Sequence, residues 1–217
     1  MAKKLNKKVA IIGIILVALM IAGGSGMFIA LKIHRSPGRA LKLANKALEA
    51  GDYEEAEKQL GRSYAFGETD EDKVQRLFEL ADLHLINNDQ HEANWNKVMG
   101  CWKKIVSIDA KDLAARRKLL DFFYQAAEAG DVGAWGTVEE FSTEITDILQ
   151  AQGTEPETFL LLAKAKALLS IAERGGVTDR REPLDECIAL LNQLIEAEPQ
   201  NGELYQLMRL RRLWKGN

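Results

Sequence analysis

Residues 37–66 read PGRALKLANKALEAGDYEEAEKQLGRSYAF, and this stretch decides the fold. Apolar residues recur at intervals of three and four rather than two, the spacing of an amphipathic helix. Pro37 suits a helix start, where a missing N–H costs nothing. The run Gly38–Ala50 sets Leu41, Ala44 and Leu48 on one stripe and Ala40, Leu43 and Ala47 on its neighbour. Gly51-Asp52 breaks it, because glycine accepts the left-handed conformation that closes helices. A second helix is predicted from Tyr53 to about Phe66, with Tyr53, Ala56, Leu60 and Ser63 or Tyr64 on one face. The unit is therefore a helix pair joined by a short turn, with small side chains at Ala44 and Ala56.

The same organisation continues downstream in weaker copies, and no stretch keeps the alternation of a strand. Leu77, Leu80-Ala81 and His84 mark a third helix. Trp95, Val98, Trp102, Ile105 and Ile108 mark a fourth, after a turn lengthened within Asn87–Asn94. A further pair runs from Leu119-Leu120 and Phe123 through Gly130-Asp131 to Trp135, Val138, Phe141 and Ile145. Another begins at Leu162-Ala163 and Lys166, closes at Cys187, Leu191, Leu194 and Pro199, and carries a charged insertion over Gly175–Glu182. The last helix, Gly202–Trp214, has no partner: it is either a cap on the final pair or a sign that the natural chain continues.

These features resemble the tetratricopeptide repeat, a helix–turn–helix module of roughly 34 residues. Leu43-Ala44, Ala47, the Gly51-Asp52-Tyr53-Glu54-Glu55-Ala56 turn and Leu60 carry the resemblance, with Glu196–Asn201 the next best match. It covers about residues 37–214, is good in the first pair and is degenerate elsewhere. It implies an all-α fold: a right-handed α-solenoid of about four hairpins plus a terminal helix.

Upstream, Val9–Leu31 holds 23 residues without a charge. At about 1.5 Å per residue such a helix reaches roughly 35 Å, enough to cross a bilayer core. A cleaved signal peptide is the competing reading, with Lys3–Lys8 as its basic head and Gly23–Gly26 as a weak cleavage zone. The apolar run resumes at Met27–Leu31 and stops on Lys32, which favours an uncleaved anchor. The chain then divides into a basic tail (1–8), a transmembrane signal-anchor helix (9–31), a juxtamembrane linker (32–36) and a helical repeat domain (37–217). Lysines flank both ends, so the positive-inside rule is nearly tied. The short lysine-rich head leans toward a body outside the cytoplasm, on a bacterial-type inner membrane, with the cytoplasmic side as the alternative. Ala18, Ala22, Gly26 and Ala30 recur every fourth residue; such a stripe allows close packing of two membrane helices, and alanine and glycine are also simply common there.

Of 217 residues, 29 are basic and 32 acidic. Six bases and no acids lie in residues 1–35, leaving a body with 23 basic and 32 acidic residues and a net charge of −9. That balance argues against nucleic-acid binding, which requires a basic surface. Cys101 and Cys187 stand far apart, so neither a disulfide framework nor a zinc module is expected. His84 and His91 are separated by helix-breaking Asn87-Asn88-Asp89, a poor metal pair. The acidic run Glu68–Asp72 lacks the ligand spacing of a calcium loop and reads as a solvated turn that caps the next helix. Trp95, Trp102 and Trp135 fall at core spacings. Arg116-Arg117-Lys118 reads as a solvated basic face, as does Arg209, Arg211, Arg212 and Lys215, for which an anionic lipid or an acidic partner is the alternative. No phosphate loop or nucleophile–base pairing is present, so no enzyme activity and no cofactor are expected.

What the resemblance implies is binding. In such repeats the first helix of each pair lines a concave groove, and by analogy Asn45, Asp82, Asp121, Tyr124 and Lys164 would face it. The family's chaperone-binding members hold a peptide carboxylate in a clamp of lysines and arginines. Here Leu41 and Phe78 occupy the matching turns, and Asp82 and Asp121 would repel a carboxylate. The expected function is a membrane-anchored protein–protein interaction scaffold for basic or amphipathic segments. The alternative is the N-terminal scaffold of a longer membrane protein whose activity lies beyond residue 217.

Overall fold

The computed structural model describes residues 36–86, 93–174 and 181–214, with side chains of 181–182 and 210–214 left aside. The described residues form helices without strands: α1 (Pro37–Glu49), α2 (Tyr53–Ala65), α3 (Asp70–Leu85), α4 (Trp95–Ile108), α5 (Leu113–Glu128), α6 (Ala134–Ala151), α7 (Thr158–Arg174), α8 (Arg181–Ala197) and α9 (Gly202–Trp214). The apolar segment 9–31, with its stripe Ala18, Ala22, Gly26 and Ala30, lies outside the described residues, as do His91 and the insertion 175–180. Among the described residues no helix is long and apolar enough to cross a membrane.

The turn after α1 forms as its sequence requires. Gly51 takes φ +73°, a conformation any side chain would strain. The Gly51 N–H then donates to Leu48 O (3.0 Å) and the Asp52 N–H to Ala47 O (2.9 Å), satisfying carbonyls that a helix end leaves orphaned. Asp52 next caps α2, its Oδ1 accepting from the Glu55 N–H at 3.0 Å. The same closure recurs 79 residues later: Gly130 N–H to Ala127 O (3.1 Å) and Asp131 N–H to Ala126 O (2.9 Å). Asp52→Ala is expected to cost about 1 kcal/mol through the lost cap, read as faster hydrogen exchange in the first turn of α2.

The chain divides into two compact units, residues 1–101 and 102–217, the division falling within α4. In the first unit α1 lays Ala40, Ala44 and Ala47 against α2, which presents Ala56, Gln59, Leu60 and Ser63. The Ser63 hydroxyl donates to Pro37 O at 3.1 Å, tying the end of α2 to the start of α1. Thr69 caps α3 by accepting from the Asp72 N–H at 3.1 Å, and α3 buries Leu77, Leu80, Ala81, Leu83 and His84. His84 Nε2 lies 3.9 Å from Glu57, which also takes the Lys97 ammonium at 2.6 Å.

In the second unit each helix from α5 to α9 packs on the next. Two cores meet at α7, which is buried nearly all round. Leu160, Ala163 and Ala167 join Leu120, Ala127, Val138, Ile145 and Leu149. Leu161, Ala165, Leu168 and Leu169 join Cys187, Leu191, Leu194 and Leu204. Cys187 is fully buried and its thiol donates to Ala165 O at 3.3 Å.

Three readings of the sequence need correction. Trp95 opens α4 and is 48% exposed, not core, while Trp102 is buried and Trp135 half-buried. Leu43 is 42% exposed, because α1 buries Ala40, Ala44 and Ala47, a line that passes between the two stripes read from the sequence. The run Arg116-Arg117-Lys118 is not a solvated face. Arg116 is buried, donates from Nε and Nη2 to Ala110 O, and pairs with Glu144. Arg117 pairs with Glu157 at 2.7 Å and Lys118 lies over the Trp102 ring.

Candidate partner-binding cleft

The feature of the second unit best suited to binding is built on alternate helices. On α5, Tyr124 and Glu128 are one turn apart and share a face. On α7, Lys166, Leu169, Ser170 and Glu173 follow at helical spacing, and on α9 so do Glu203, Gln206 and Leu207. Together with Trp135 of α6, residues Glu128, Lys166, Leu169, Ser170, Glu173, Glu203, Gln206 and Leu207 line an open cleft of about 330 Å³.

Lys166 ties the three helices together. Its ammonium donates to the Tyr124 phenol oxygen at 2.9 Å and to Glu128 at 3.1 Å, and pairs with Glu203 at 2.7 Å. Burial alone would pull the lysine pKa down, but the bonds to Glu203, Tyr124 and Glu128 outweigh it and hold the group above its usual range. Burial raises the Tyr124 phenol, against the opposing pull of Lys166. The Tyr124 ring packs edge-on against Trp135 (5.8 Å) and Phe159 (5.3 Å), which fixes the hydroxyl under the lysine.

Both shifts point the same way with pH. A lysine raised in the folded state stabilises it fully below its unfolded value, about 10.4, and that contribution fades as pH rises through the folded value. A tyrosine raised by burial resists ionising when folded, so stability also declines once the unfolded phenol titrates near pH ~10. Lys166→Met is expected to cost about 1–2 kcal/mol at neutral pH and to blunt this alkaline weakening, measured by urea unfolding between pH 8 and 11.

Of the second unit's residues expected in the groove, Tyr124 does not line the cleft but bonds Lys166, which does. Lys164 does not share that face: its ammonium pairs with Glu186 of α8 at 2.6 Å. Residues two apart on a helix point about 200° away from one another, so Lys166, not Lys164, reaches α5. Asp121 is exposed one turn before Tyr124, yet neighbouring protein partly desolvates its carboxyl and raises its pKa, against the opposing pull of Arg117 and Lys118. Asn45 and Asp82 are exposed positions of the first unit. Glu128, Glu173 and Glu203 went unread in the sequence. Glu128 follows Tyr124 by four residues and Glu173 follows Lys166 by seven, a spacing that puts each on the same helix face as its predecessor; Glu203 has no such local signal.

Among the described residues no group of three or more His, Cys, Asp or Glu side chains could hold a metal ion. The cleft offers aromatic and apolar walls, one tethered ammonium and three carboxylates. No family model and no curated protein matches this chain.

Proposed function

We propose that this protein is a non-catalytic scaffold held at a membrane by residues 9–31, and that it captures partner proteins through a tetratricopeptide-like helical domain. The observation that carries this reading is the cleft in which α5, α7 and α9, alternate helices of the chain, each turn one face toward a common opening. Alternate helices lining one side is how stacked helix pairs make a binding surface. The matching closures at Gly51 and Gly130 support a repeated hairpin. The acidic body suits basic or amphipathic partner segments and opposes nucleic acid. The uncharged run 9–31 has the length of a membrane helix, and the lysine-rich head favours a body outside the cytoplasm.

Fractionation and topology test the anchor together. The chain is expected to stay with membranes through alkaline carbonate washing, and a chain lacking residues 1–35 is expected in the soluble fraction. A reporter fused after Asn217 is expected to be active only outside the cytoplasm. Release of the intact chain by carbonate would remove the anchor, and a cytoplasmic signal would reverse the orientation. For the scaffold role, a photo-crosslinking side chain at Asp82 or Gln206 is expected to give discrete light-dependent adducts in cells.

A further inference from the structure

The cleft's electrostatics define what it takes. Three of its lining groups are carboxylates, Glu128, Glu173 and Glu203, against the single ammonium of Lys166. Glu128 and Glu203 each spend one contact on Lys166, yet their side chains remain 46% and 48% exposed. A carboxylate has two oxygens and about four acceptor directions, so both can receive a second cation. Glu173 is exposed and has no cation partner among the described residues.

The placement of these acids adds to the field. Glu128 is the last residue of α5, and Glu173 stands one residue before the end of α7. Both occupy the carbonyl end of a helix, which carries partial negative charge and disfavours a carboxylate by about 0.3–1 kcal/mol. The Lys166 ammonium offsets that disadvantage for Glu128. At the end of α7 the Arg174 Nε donates to Ser170 O at 3.2 Å and meets the carbonyl end there, while no ion pair among the described residues holds Glu173. Three carboxylates, with Glu128 at a helix end that has no basic residue in its last turn, thus line one opening walled by Trp135, Leu169 and Leu207.

We propose that this cleft docks a basic amphipathic helix of a partner protein, an apolar side chain seating against Trp135, Leu169 and Leu207 while an adjacent lysine or arginine meets Glu173 and the free faces of Glu128 and Glu203. Charge complementarity selects this occupant: an acidic segment or an anionic lipid headgroup would meet net repulsion, and a neutral apolar helix would leave Glu173 unpaired beside it. Lys166 is not displaced. By joining α5, α7 and α9 it holds the carboxylates in place before the partner arrives, which reduces the ordering cost of binding. The proposal deepens the scaffold reading and rests on it.

The test uses the full chain in nanodiscs of zwitterionic lipid, with empty nanodiscs subtracted. The probe is a fluorescein-labelled 16-residue helix of lysine and leucine, read by anisotropy, with a matched glutamate–leucine helix as control. The lysine–leucine helix is expected to bind and the control not to. Glu173→Lys is expected to weaken binding at least tenfold without loss of thermal stability, since a lysine suits the end of α7 better than a glutamate. Glu68→Lys, a charge reversal in the other unit, is expected to stay within twofold. Equal weakening by both reversals, equal binding of both helices, or no binding of the lysine–leucine helix would overturn the proposal. If the probe fails while light-dependent adducts form from Asp82 in cells, the cleft assignment falls and the scaffold reading stands. If neither appears, both fall.

Discussion

Glu144→Ala is expected to cost the second unit about 3–5 kcal/mol, the penalty of stranding a buried charge. Arg116 is only 7% exposed and pairs with Glu144 of α6. Its Nε and Nη2 donate to Ala110 O at 3.2 and 2.9 Å, in the connection between α4 and α5. Without Glu144 the guanidinium keeps that carbonyl but loses its counter-charge, and it has no solvent to turn to. The reverse change differs. Arg116→Leu leaves a carboxylate that is 40% exposed and can take water in place of its partner, so about 1–2 kcal/mol is expected. The double variant should then be more stable than Glu144→Ala alone, because the stranded charge has gone. Hydrogen exchange resolved by peptide over α5 and α6 measures all three. Equal losses in the two single variants would show that the pair contributes only packing.

Arg116 also shows what kind of error a reading of charge runs makes. Three consecutive bases look like a solvated face, but Arg116 stands three and four residues before Leu119 and Leu120, on the stripe that α5 buries. Helical period outranked composition there, and following it would have placed the arginine inside. The period served well wherever a helix had partners along its length: Ala56, Leu60, Leu77, Ala81, Val98, Ile105, Leu119, Val138, Ile145, Leu191 and Leu194 are all buried as their spacing predicts. It failed at Trp95, the first residue of α4. Spacing says which face a residue occupies but not where the neighbouring helix ends. It failed at Leu43 for a related reason: the buried line of α1 runs through Ala40, Ala44 and Ala47, between the two apolar stripes read from the sequence, and leaves Leu43 to one side.

The cleft was only partly legible for a different physical reason. Tyr124 could be placed on α5 by period alone. Deciding between Lys164 and Lys166 required the rotation of α7, and both faces of that helix are apolar enough to be buried. A helix buried all round gives no amphipathic axis from which to read its orientation. Glu203 required more still, because its approach to Lys166 depends on how α9 lies over α7. Carboxylates on three separate helices converge through tertiary packing that no local pattern records.

Ala44→Leu is expected to destabilise the first helix pair by about 3 kcal/mol, and Ala56→Leu by a similar amount. Both alanines are fully buried at 0% exposure, one on α1 and one on α2, each facing the other helix of the hairpin. Helix axes approach to roughly 8–10 Å according to the side chains at the contact. A leucine at either point must adopt a strained rotamer or push the axes apart. The axes cannot separate freely, because the Gly51 closure fixes one end and the Ser63–Pro37 hydrogen bond the other. Overpacking in a clamped pair is therefore relieved by strain, and the cost falls near the top of the usual range. Leu43→Ala removes a larger apolar side chain from the same helix, yet at 42% exposure it is expected to stay within about 0.5 kcal/mol. Hydrogen exchange over α1 and α2 separates these outcomes. If Leu43→Ala cost as much as Ala44→Leu, the apolar bulk of α1 rather than the closeness of its packing would hold the hairpin, and the small residues would lose their significance for the repeat.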